Sequence, residues 1–553
     1  MIRIVGNGPA VETLDAVVST ASETERGKHL DGATLGVVVG RSGDERFSKA
    51  DETASEQNIP WVAVEVGGVG GVGVVDGAVS LFDSQTTTYE DLQLRVRANH
   101  DETQTRDIST ATEQLAGSIA GYELTQLLAG NDVLNRVVVL PYDERLLLPV
   151  PGSDRDRTLH REYVTRPVEE SIARAEGALD EFVGLINEVG EAESFPVPYY
   201  LAQSCETEGF SDVSAAKQAA GVDSDWNRAF MKALGEGLER YCAGVYRTNE
   251  FDVATPDELE NAVSPSDFVC ETDAAGEAIP WVDGENLQTE STVQLPAEFV
   301  HYPPPERRYR PAVTTGLGFG NSGIEAMLSG LYEVIERDAT MLAWYSTFEP
   351  MGLDTADETV KTLEARAESE GLDVALLLVT MDIDVPVVVA AVTRDEWPRL
   401  ALGSGASLDI GRASRSALSE ALQNWMELRG MGPENAADAS GAIGEYATNP
   451  DPAAEFITPS VTVSAEDLVE KPSTGEAAFV AVCNRLESVG LSAYAARTTT
   501  PDVEMLGFEA VRALVPKAQP LCFGEMIFGE RAKTVPESMG FEAQLEKPHH
   551  PFP

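Results

Sequence analysis

Glutamates recur at a fixed spacing in three places along this chain. In Asn321-Ser322-Gly323-Ile324-Glu325-Ala326-Met327-Leu328-Ser329-Gly330-Leu331-Tyr332-Glu333-Val334-Ile335-Glu336-Arg337 the residues Glu333 and Glu336 are three apart, so they share one face of a helix. Glu325 lies two turns earlier, roughly 80° around the helix axis. Carboxylates projecting from one side of a helix repel one another unless a cation sits among them. Mg²⁺ takes oxygen ligands and bridges phosphates, so it is the ion such a set suits. In so acidic a chain a single E-x-x-E pair is ordinarily a solvated helix face. Repetition argues for more. The spacing returns as Ala233-Leu234-Gly235-Glu236-Gly237-Leu238-Glu239-Arg240 and, altered, as Ala417-Leu418-Ser419-Glu420-Ala421-Leu422-Gln423. In each the acids alternate with apolar or small residues rather than with other charges. The pattern predicts three helices that bring acids together on one polyanion site.

These helices need strands and turns to hold them. Gly316, Gly318 and Gly320 read as a glycine-rich turn where the chain can approach a ligand without Cβ hindrance. Ala401 to Ser407 reads as a second glycine-bearing entry, leading into a helix from about Ile410 to Leu428. The first acid helix spans Trp226 to Val245. Strands are expected at 373–379, 386–392, 491–497 and 508–515, and helices at 360–369 and 478–486. Residues 167–189 carry apolar positions at helical spacing (Ile172, Ala175, Leu179, Phe182, Ile186). Residues 196–203 read as extended, residues 246–310 as loops and short strands, and residues 432–475 as a surface excursion.

Ahead of this lies a smaller α/β unit. Ile2 to Val5, Thr34 to Val39 and Pro60 to Val66 read as strands, and Thr112 to Leu128 as a helix. Gly6-Asn7-Gly8 is a weak dinucleotide fingerprint without its third glycine, and Gly67 to Gly73 reads as a flexible or tightly turning connection. Residues 141–165, with Pro149, Pro151 and Gly152, read as a linker, which divides the chain into 1–145 and 146–553.

With 553 residues and a formal charge of −52, the chain is too long for one ordinary domain and lacks the basic footprint that nucleic acid requires. An anionic membrane surface is excluded on the same ground, and no apolar run is long enough to span a bilayer. Acids spread along the whole length, with Lys scarce beside Arg, suit a cytoplasm of high salt, where repulsion is screened. Five scattered cysteines, without C-x-x-C, read as buried reduced thiols. There is no P-loop motif and no H-E-x-x-H.

Taken together, the three glutamate motifs resemble the YcaO family over roughly residues 150 to 553. That family carries an A-x-x-E-x-x-E-R helix, an N-x-x-x-E-A helix continuing to E-x-x-E-R, an A-x-x-E-x-x-Q helix and, commonly, a proline-rich tail. Here the matching residues are Glu236, Glu239 and Arg240; Asn321, Glu325, Glu333, Glu336 and Arg337; Gln423; and the tail Pro548 to Pro553. Gly221-Val222-Asp223 replaces the family's G-K-G, and Lys232 replaces a serine four residues before Glu236. The N-terminal segment resembles a shortened, degenerate adenylating-enzyme (ThiF/E1-like) domain; its C-Y-x-C-L half-site for zinc is Thr88-Tyr89-Glu90-Asp91-Leu92, without thiolates.

What the resemblance implies is a mixed α/β fold. A short Rossmann-like domain precedes a large domain whose three acid-bearing helices pack on sheets. It implies an ATP- and Mg²⁺-dependent enzyme that activates a peptide backbone amide to form azolines at Cys, Ser or Thr. Metal would be held by Glu236, Glu239, Glu325, Glu333 and Glu336, with Arg240 and Arg337 orienting acids or touching phosphate. Asn321 and Gln423 would be polar ligands, and Pro551 and Pro553 would fold toward the reaction centre. Expected partners are a peptide or protein substrate, a separate leader-binding or sulfur-delivery protein, and a second copy of the chain. Thioamidation, and a peptide-binding adaptor without catalysis, are the alternative readings.

Overall fold

The computed structural model describes the chain apart from residue 102 and residues 153–154, 272–275, 439–440 and 469–472. The parts of the expected linker and of the 432–475 excursion at these positions lie outside the described residues. Residues 2–146 build one seven-stranded sheet of order β2-β1-β3-β4-β5-β6-β7. Its strands are β1 (Ile2–Val5), β2 (Thr24–Gly27), β3 (Leu35–Arg41), β4 (Trp61–Val66), β5 (Gly77–Phe82), β6 (Arg136–Val139) and β7 (Asp143–Leu146). The first four run parallel and the last three add on antiparallel. β3 reads Leu-Gly-Val-Val-Val because a parallel strand is covered on both faces. Helices α1 (Pro9–Val18) and α4 (Thr110–Leu128) fill one face, while α2 (Glu45–Gln57) and α3 (Tyr89–Asn99) fill the other. The glycine run at 67–73 is a tight turn: Val69 and Val72 bridge around Gly70 (φ +57°) and Gly71 (φ +90°). Its hold is the buried Glu65, which accepts from the Gly70 N–H at 3.0 Å, the Ser42 hydroxyl at 2.7 Å and the Tyr89 hydroxyl at 2.8 Å. The linker region is thus partly sheet, since β7 pairs with β6 inside it.

Three further sheets carry the rest. β8 (Ile186–Glu193), β9 (Tyr199–Ser204) and β10 (Gln218–Val222) form the first. The second contains β11 (Asp252–Ala254), β12 (Ile279–Asn286), β13 (Thr292–Pro296), β14 (Leu317–Gly320), β20 (Tyr494–Arg497) and β21 (Glu509–Leu514). The third, of order β18-β17-β16-β15-β19, comprises β15 (Met351–Asp354), β16 (Asp373–Leu378), β17 (Val387–Thr393), β18 (Leu400–Ala406) and β19 (Thr462–Ser464). Helices α5 (Val168–Ala175), α6 (Trp226–Gly244), α7 (Ala297–Val300), α8 (Gly323–Trp344), α9 (Glu358–Ser369) and α10 (Ile410–Ala436) accompany them. α10 is broken at Gly432 (φ +77°), just before Pro433.

Three sequence expectations fail. Residues 432–475 are more than a surface excursion: β19 pairs with β15, and Tyr446 and Phe456 join the core. The helix predicted over 167–189 stops at Ala175, and Ile186 begins β8. The apolar spacing belongs to two elements joined by a short turn. The expected glycine turns before the second and third acid helices are strands, β14 and β18. Their glycines serve the packing of helix on strand rather than a ligand. A Cβ on Gly318 would lie 2.1 Å from the Ala326 carbonyl oxygen, and one on Gly403 would lie 2.2 Å from the Ala421 nitrogen. Gly221 of β10 stands in the same relation to α6, 2.2 Å from the Ala233 nitrogen. The pairs β10–α6, β14–α8 and β18–α10 are therefore one device used three times: a glycine strand with an acid-bearing helix lying directly on it.

Four of the five cysteines, Cys205, Cys242, Cys483 and Cys522, are buried. Among the described residues no helix is long and apolar enough to cross a membrane.

Candidate active site

Each strand–helix pair fixes its leading acid in the same way. Glu236 accepts from the Ala220 N–H at 2.7 Å, Glu333 from the Gly316 N–H at 3.1 Å, and Glu420 from the Ser404 N–H at 2.5 Å. The donor precedes the acid by 16, 17 and 16 residues. Three residues on stand Glu239, Glu336 and Gln423. A backbone N–H that holds a helix carboxylate fixes its rotamer and favours its charged form.

These carboxylates meet. Glu336 accepts from the Ser404 hydroxyl of β18 at 2.7 Å. Arg337 lies 3.6 Å from Glu336 and 3.7 Å from Glu420, joining α8 to α10. Arg240 pairs with Glu236 along α6. Burial raises Glu239 well above the ordinary carboxyl range, and the neighbouring Glu333 and Glu236 push it further. Glu336 rises to about 7, through burial first, with Arg337 pulling back and Glu420 and Glu333 pushing up. Burial also raises Glu236, against Arg240, and Glu420, against Arg337. Burial works against the charge of Arg337, but Glu336, Glu420 and Glu333 together hold its pKa above the ordinary value. Glu333 acts on all four other acids, which places it at the centre of the cluster.

Five carboxylates, four half-buried and Glu336 buried, with two guanidinium groups in contact make an arrangement that is costly when empty. The donor set is all oxygen and anionic, which fits a hard divalent cation such as Mg²⁺.

Glu325 sits in the first turn of α8. It accepts from the Asn321 N–H at 2.9 Å and from the Asn321 side-chain amide at 3.2 Å. Asn321 is itself held, its side-chain oxygen by the Ser171 hydroxyl (2.7 Å) and its carbonyl by Arg166 (2.9 Å). Glu325, Glu236 and Glu239 line one cleft of about 360 Å³ with Lys232, Phe319 and Phe508. Lys232 lines it from α6, 2.8 Å from Asp223 and donating to the Val222 carbonyl at 2.9 Å. The two departures from the family motif thus meet each other: an ammonium from α6 lies where a lysine at 222 would begin.

Among the predicted site residues, Gln423 reaches the cluster through Glu427, which acts on Glu236. Its amide donates to Glu427 at 2.9 Å, and Glu427 also accepts from the Tyr199 hydroxyl at 2.7 Å. Glu420 takes the place on α10 that the leading acids hold on α6 and α8. The strict E-x-x-x spacing shared by the three motifs would have found it; Ser404, Arg166 and Ser171, which come from distant stretches, leave no local signal. Pro551 and Pro553 pack in a small crevice with Leu400, Leu402 and Asn424, along the strand and helix that carry Ser404 and Glu420. The tail is anchored by Trp344 donating to the Pro548 carbonyl (3.0 Å) and Tyr446 to that of His549 (2.7 Å), with Phe552 buried.

The α/β scaffold thus uses three glycine strands, each carrying an acid helix, to bring these carboxylates into one cluster. The chain belongs to the YcaO family. The family model described as YcaO cyclodehydratase, ATP- and Mg²⁺-binding, matches residues 220–519. Similar curated proteins include an uncharacterized protein from Methanothermobacter thermautotrophicus, 30% identical over 253 residues, covering 43% of this chain and 64% of that protein. Another, uncharacterized and encoded in the tfuA 3′ region of Rhizobium leguminosarum bv. trifolii, is 30% identical over 174 residues, covering 28% of this chain and 41% of that protein. The chain thus spans less than two thirds of either relative. Among solved structures, a heterocyclase in complex with substrate and cofactor aligns over 100% of this chain and 85% of that one, with TM-score 0.75 and 20% identity. The heterocyclase TruD aligns over 98% and 81%, with TM-score 0.66 and 19% identity. YcaO from Methanopyrus kandleri, bound with AMPPCP and Mg²⁺, aligns over 62% and 89%, with TM-score 0.51 and 23% identity. At these identities the likeness is one of fold.

Proposed function

We propose that this protein is an ATP- and Mg²⁺-dependent cyclodehydratase acting on a peptide backbone amide. The observation that carries this reading is the cluster of Glu236, Glu239, Glu333, Glu336 and Glu420, each leading acid fixed by a backbone N–H in or just before a glycine strand, in a chain of the YcaO family. Glu325 and Asn321 extend the acid set toward the cleft, and Lys232 supplies an ammonium to phosphate from α6. These acids would hold Mg²⁺, which when bound would neutralise the phosphates and draw charge from the γ-phosphoryl group.

In the reaction a Cys, Ser or Thr side chain of the substrate attacks the carbonyl carbon of the preceding residue, losing its proton. The resulting oxyanion takes the γ-phosphoryl group of ATP, releasing ADP. Loss of phosphate together with the amide proton then forms the C=N bond of an azoline. The chain's own contribution is to hold the nucleotide, to exclude water, and to orient the acids through Arg240 and Arg337. The tail that carries Pro551 and Pro553 would border the peptide beside α10. The N-terminal unit of residues 1–145 would help to present that peptide, with a separate leader-binding protein or a second copy of the chain as further partners.

Calorimetry in about 1 M KCl tests the reading. Wild type is expected to bind AMPPCP saturably only with Mg²⁺, and Glu333→Ala with Glu336→Ala to lose that binding while staying folded. A folded wild type that binds no nucleotide overturns the proposal.

A further inference from the structure

A second cleft, of about 190 Å³, lies beside the one already described. The two share Phe319, Glu325 and Ser329, so the first turns of α8 stand between them. The first, at about 360 Å³, falls within the roughly 300–1,000 Å³ that small-molecule ligands fill. The second falls below that range. A nucleotide suits the larger cleft, and the smaller is left for a slighter ligand.

The second cleft lies in line with the acids. Tyr332 of α8 and Ser407, just before α10, both line it, and the Tyr332 hydroxyl is 3.5 Å from the Leu408 nitrogen. Further along the two helices, Arg337 joins Glu336 to Glu420. Further still, Trp344 of α8 donates to the Pro548 carbonyl, and Asn424 of α10 lies with Pro551 and Pro553. Both helices therefore present, in the same order, cleft, acids and tail. Tyr332 is about one helical turn, roughly 6 Å, ahead of Glu336. A chain laid from the cleft toward the tail passes the acids.

The walls offer hydrogen bonds with little spare charge. The sequence has 92 Asp and Glu, yet among the described residues two acids, Glu325 and Asp409, line this cleft. Both are engaged. Glu325 accepts from the Asn321 N–H at 2.9 Å, and Asp409 caps α10, accepting from the N–H groups of Gly411 (2.9 Å) and Arg412 (3.2 Å). The exposed guanidinium of Arg412 also lines the cleft, and among the described residues it has no ion pair. Thr474, in the same wall, precedes the helix Gly475–Ser488 and makes no side-chain cap to it. The first N–H groups of that helix, which have no partner within it, can donate to a ligand. An acidic ligand would meet Glu325 and Asp409, and a basic one would meet Arg412. A neutral chain rich in carbonyl acceptors fits best, and the peptide backbone is such a chain.

We propose that this cleft seats the substrate peptide, as a short uncharged segment whose carbonyls accept from Arg412 and from the first turn of the helix Gly475–Ser488. That the seated segment is the one to be cyclised rests on the reading of the acid cluster given above; that an uncharged peptide binds here does not.

The probe is acetyl-Gly-Cys-Gly-amide with a photoreactive diazirine on its acetyl group. It is irradiated at about 1 mM with the full chain in about 1 M KCl, without nucleotide or metal, and the adducts are mapped by mass spectrometry. Labels are expected within residues 325–332, 407–412 and 474–478. Labelling should fall at least about tenfold in Arg412→Ala, which removes hydrogen bonds from a charged donor, and be lost in Thr474→Trp, which fills the cleft. Both positions are exposed; should Thr474→Trp fail to fold, Arg412→Ala decides alone. Unlabelled acetyl-Gly-Cys-Gly-amide should compete better than its Asp-Cys-Asp and Lys-Cys-Lys counterparts. No labelling, labelling confined to other stretches, labelling of the folded variants equal to wild type, or equal competition by the charged peptides overturns the proposal. The two readings fail separately. A chain that labels here but binds no nucleotide keeps the peptide site and loses the cyclodehydratase reading. A chain that binds Mg²⁺–AMPPCP but labels elsewhere keeps that reading and loses this site.

Discussion

At the scale of single residues, the acid cluster behaves as one unit. Glu336 has its pKa raised to about 7 from an ordinary 4.5 by burial and by Glu420 and Glu333. A carboxyl raised in this way holds its proton more tightly in the folded than in the unfolded chain. Its contribution to stability is complete at low pH and is lost as pH rises from about 4.5 through about 7. Mg²⁺ needs the ionised form, so binding releases protons and tightens over the same window. Metal-free protein in EDTA is therefore expected to melt at lower temperature as pH rises through neutrality, and added Mg²⁺ to reverse the trend. In Glu336→Gln the metal-free dependence should flatten. A metal-free melting temperature that climbs toward pH 8, or that is the same in the variant, would show that the cluster is not under this strain. Glu420 teaches a related point about sequence. The third motif loses its second acid to Gln423, and attention falls on the amide that survives the motif. In the structure the leading acid, Glu420, is the one held by the strand N–H and joined through Arg337 to Glu336.

At the scale of elements, the acid helices were legible because their glutamates are interleaved with apolar residues at helical spacing. The strands beneath them were not. Gly316-Leu317-Gly318-Phe319-Gly320 and Leu402-Gly403-Ser404-Gly405 lack the β-branched run that marks a strand, and glycine is the usual mark of a turn. Here glycine is required because the helix backbone lies against the strand backbone. Gly403→Ala tests this. Its Cβ would meet the Ala421 nitrogen at 2.2 Å and the Ala417 carbonyl oxygen at 2.5 Å, and neither atom belongs to a side chain that can turn aside. Overpacking of this kind costs about 1–3 kcal/mol, and shifting α10 should also displace Glu420 and weaken Mg²⁺-dependent nucleotide binding. Gly430→Ala, on the same helix with open space around it, is the control and should be neutral or stabilising by up to about 1 kcal/mol. Equal melting temperatures for the two variants would refute the packing role of the glycine strands.

At the scale of the whole molecule, two kinds of electrostatics act against one another. Inside, the N-terminal sheet is keyed to the acid domain by a buried network. Arg95 of α3 donates to Asp502 at 2.5 Å and to the Tyr241 hydroxyl at 3.0 Å, and that hydroxyl donates to Asp502 at 2.7 Å. Tyr241 follows Arg240 on α6, so the unit made by residues 2–146 bears directly on the helix that carries Glu236 and Glu239. The sequence could not show this, since the partners lie 407 residues apart. Outside, the net charge of −52 repels itself over the surface, and this repulsion depends on salt while the buried network does not. The Debye length falls from about 10 Å at 0.1 M to about 3 Å at 1 M. Surface repulsion between neighbouring carboxylates is therefore largely removed across that range. The melting temperature is expected to rise steeply with KCl up to about 1 M and then to level as screening saturates. Sucrose at matched osmolality, which leaves charges unscreened, should reproduce little of the rise. Arg95→Met should lower the curve at every salt concentration without changing its shape, since breaking a buried pair costs about 3–5 kcal/mol whatever the ionic strength. A melting temperature that is flat in KCl would mean that the surface acids are already neutralised within the fold, and that this composition imposes no need for salt.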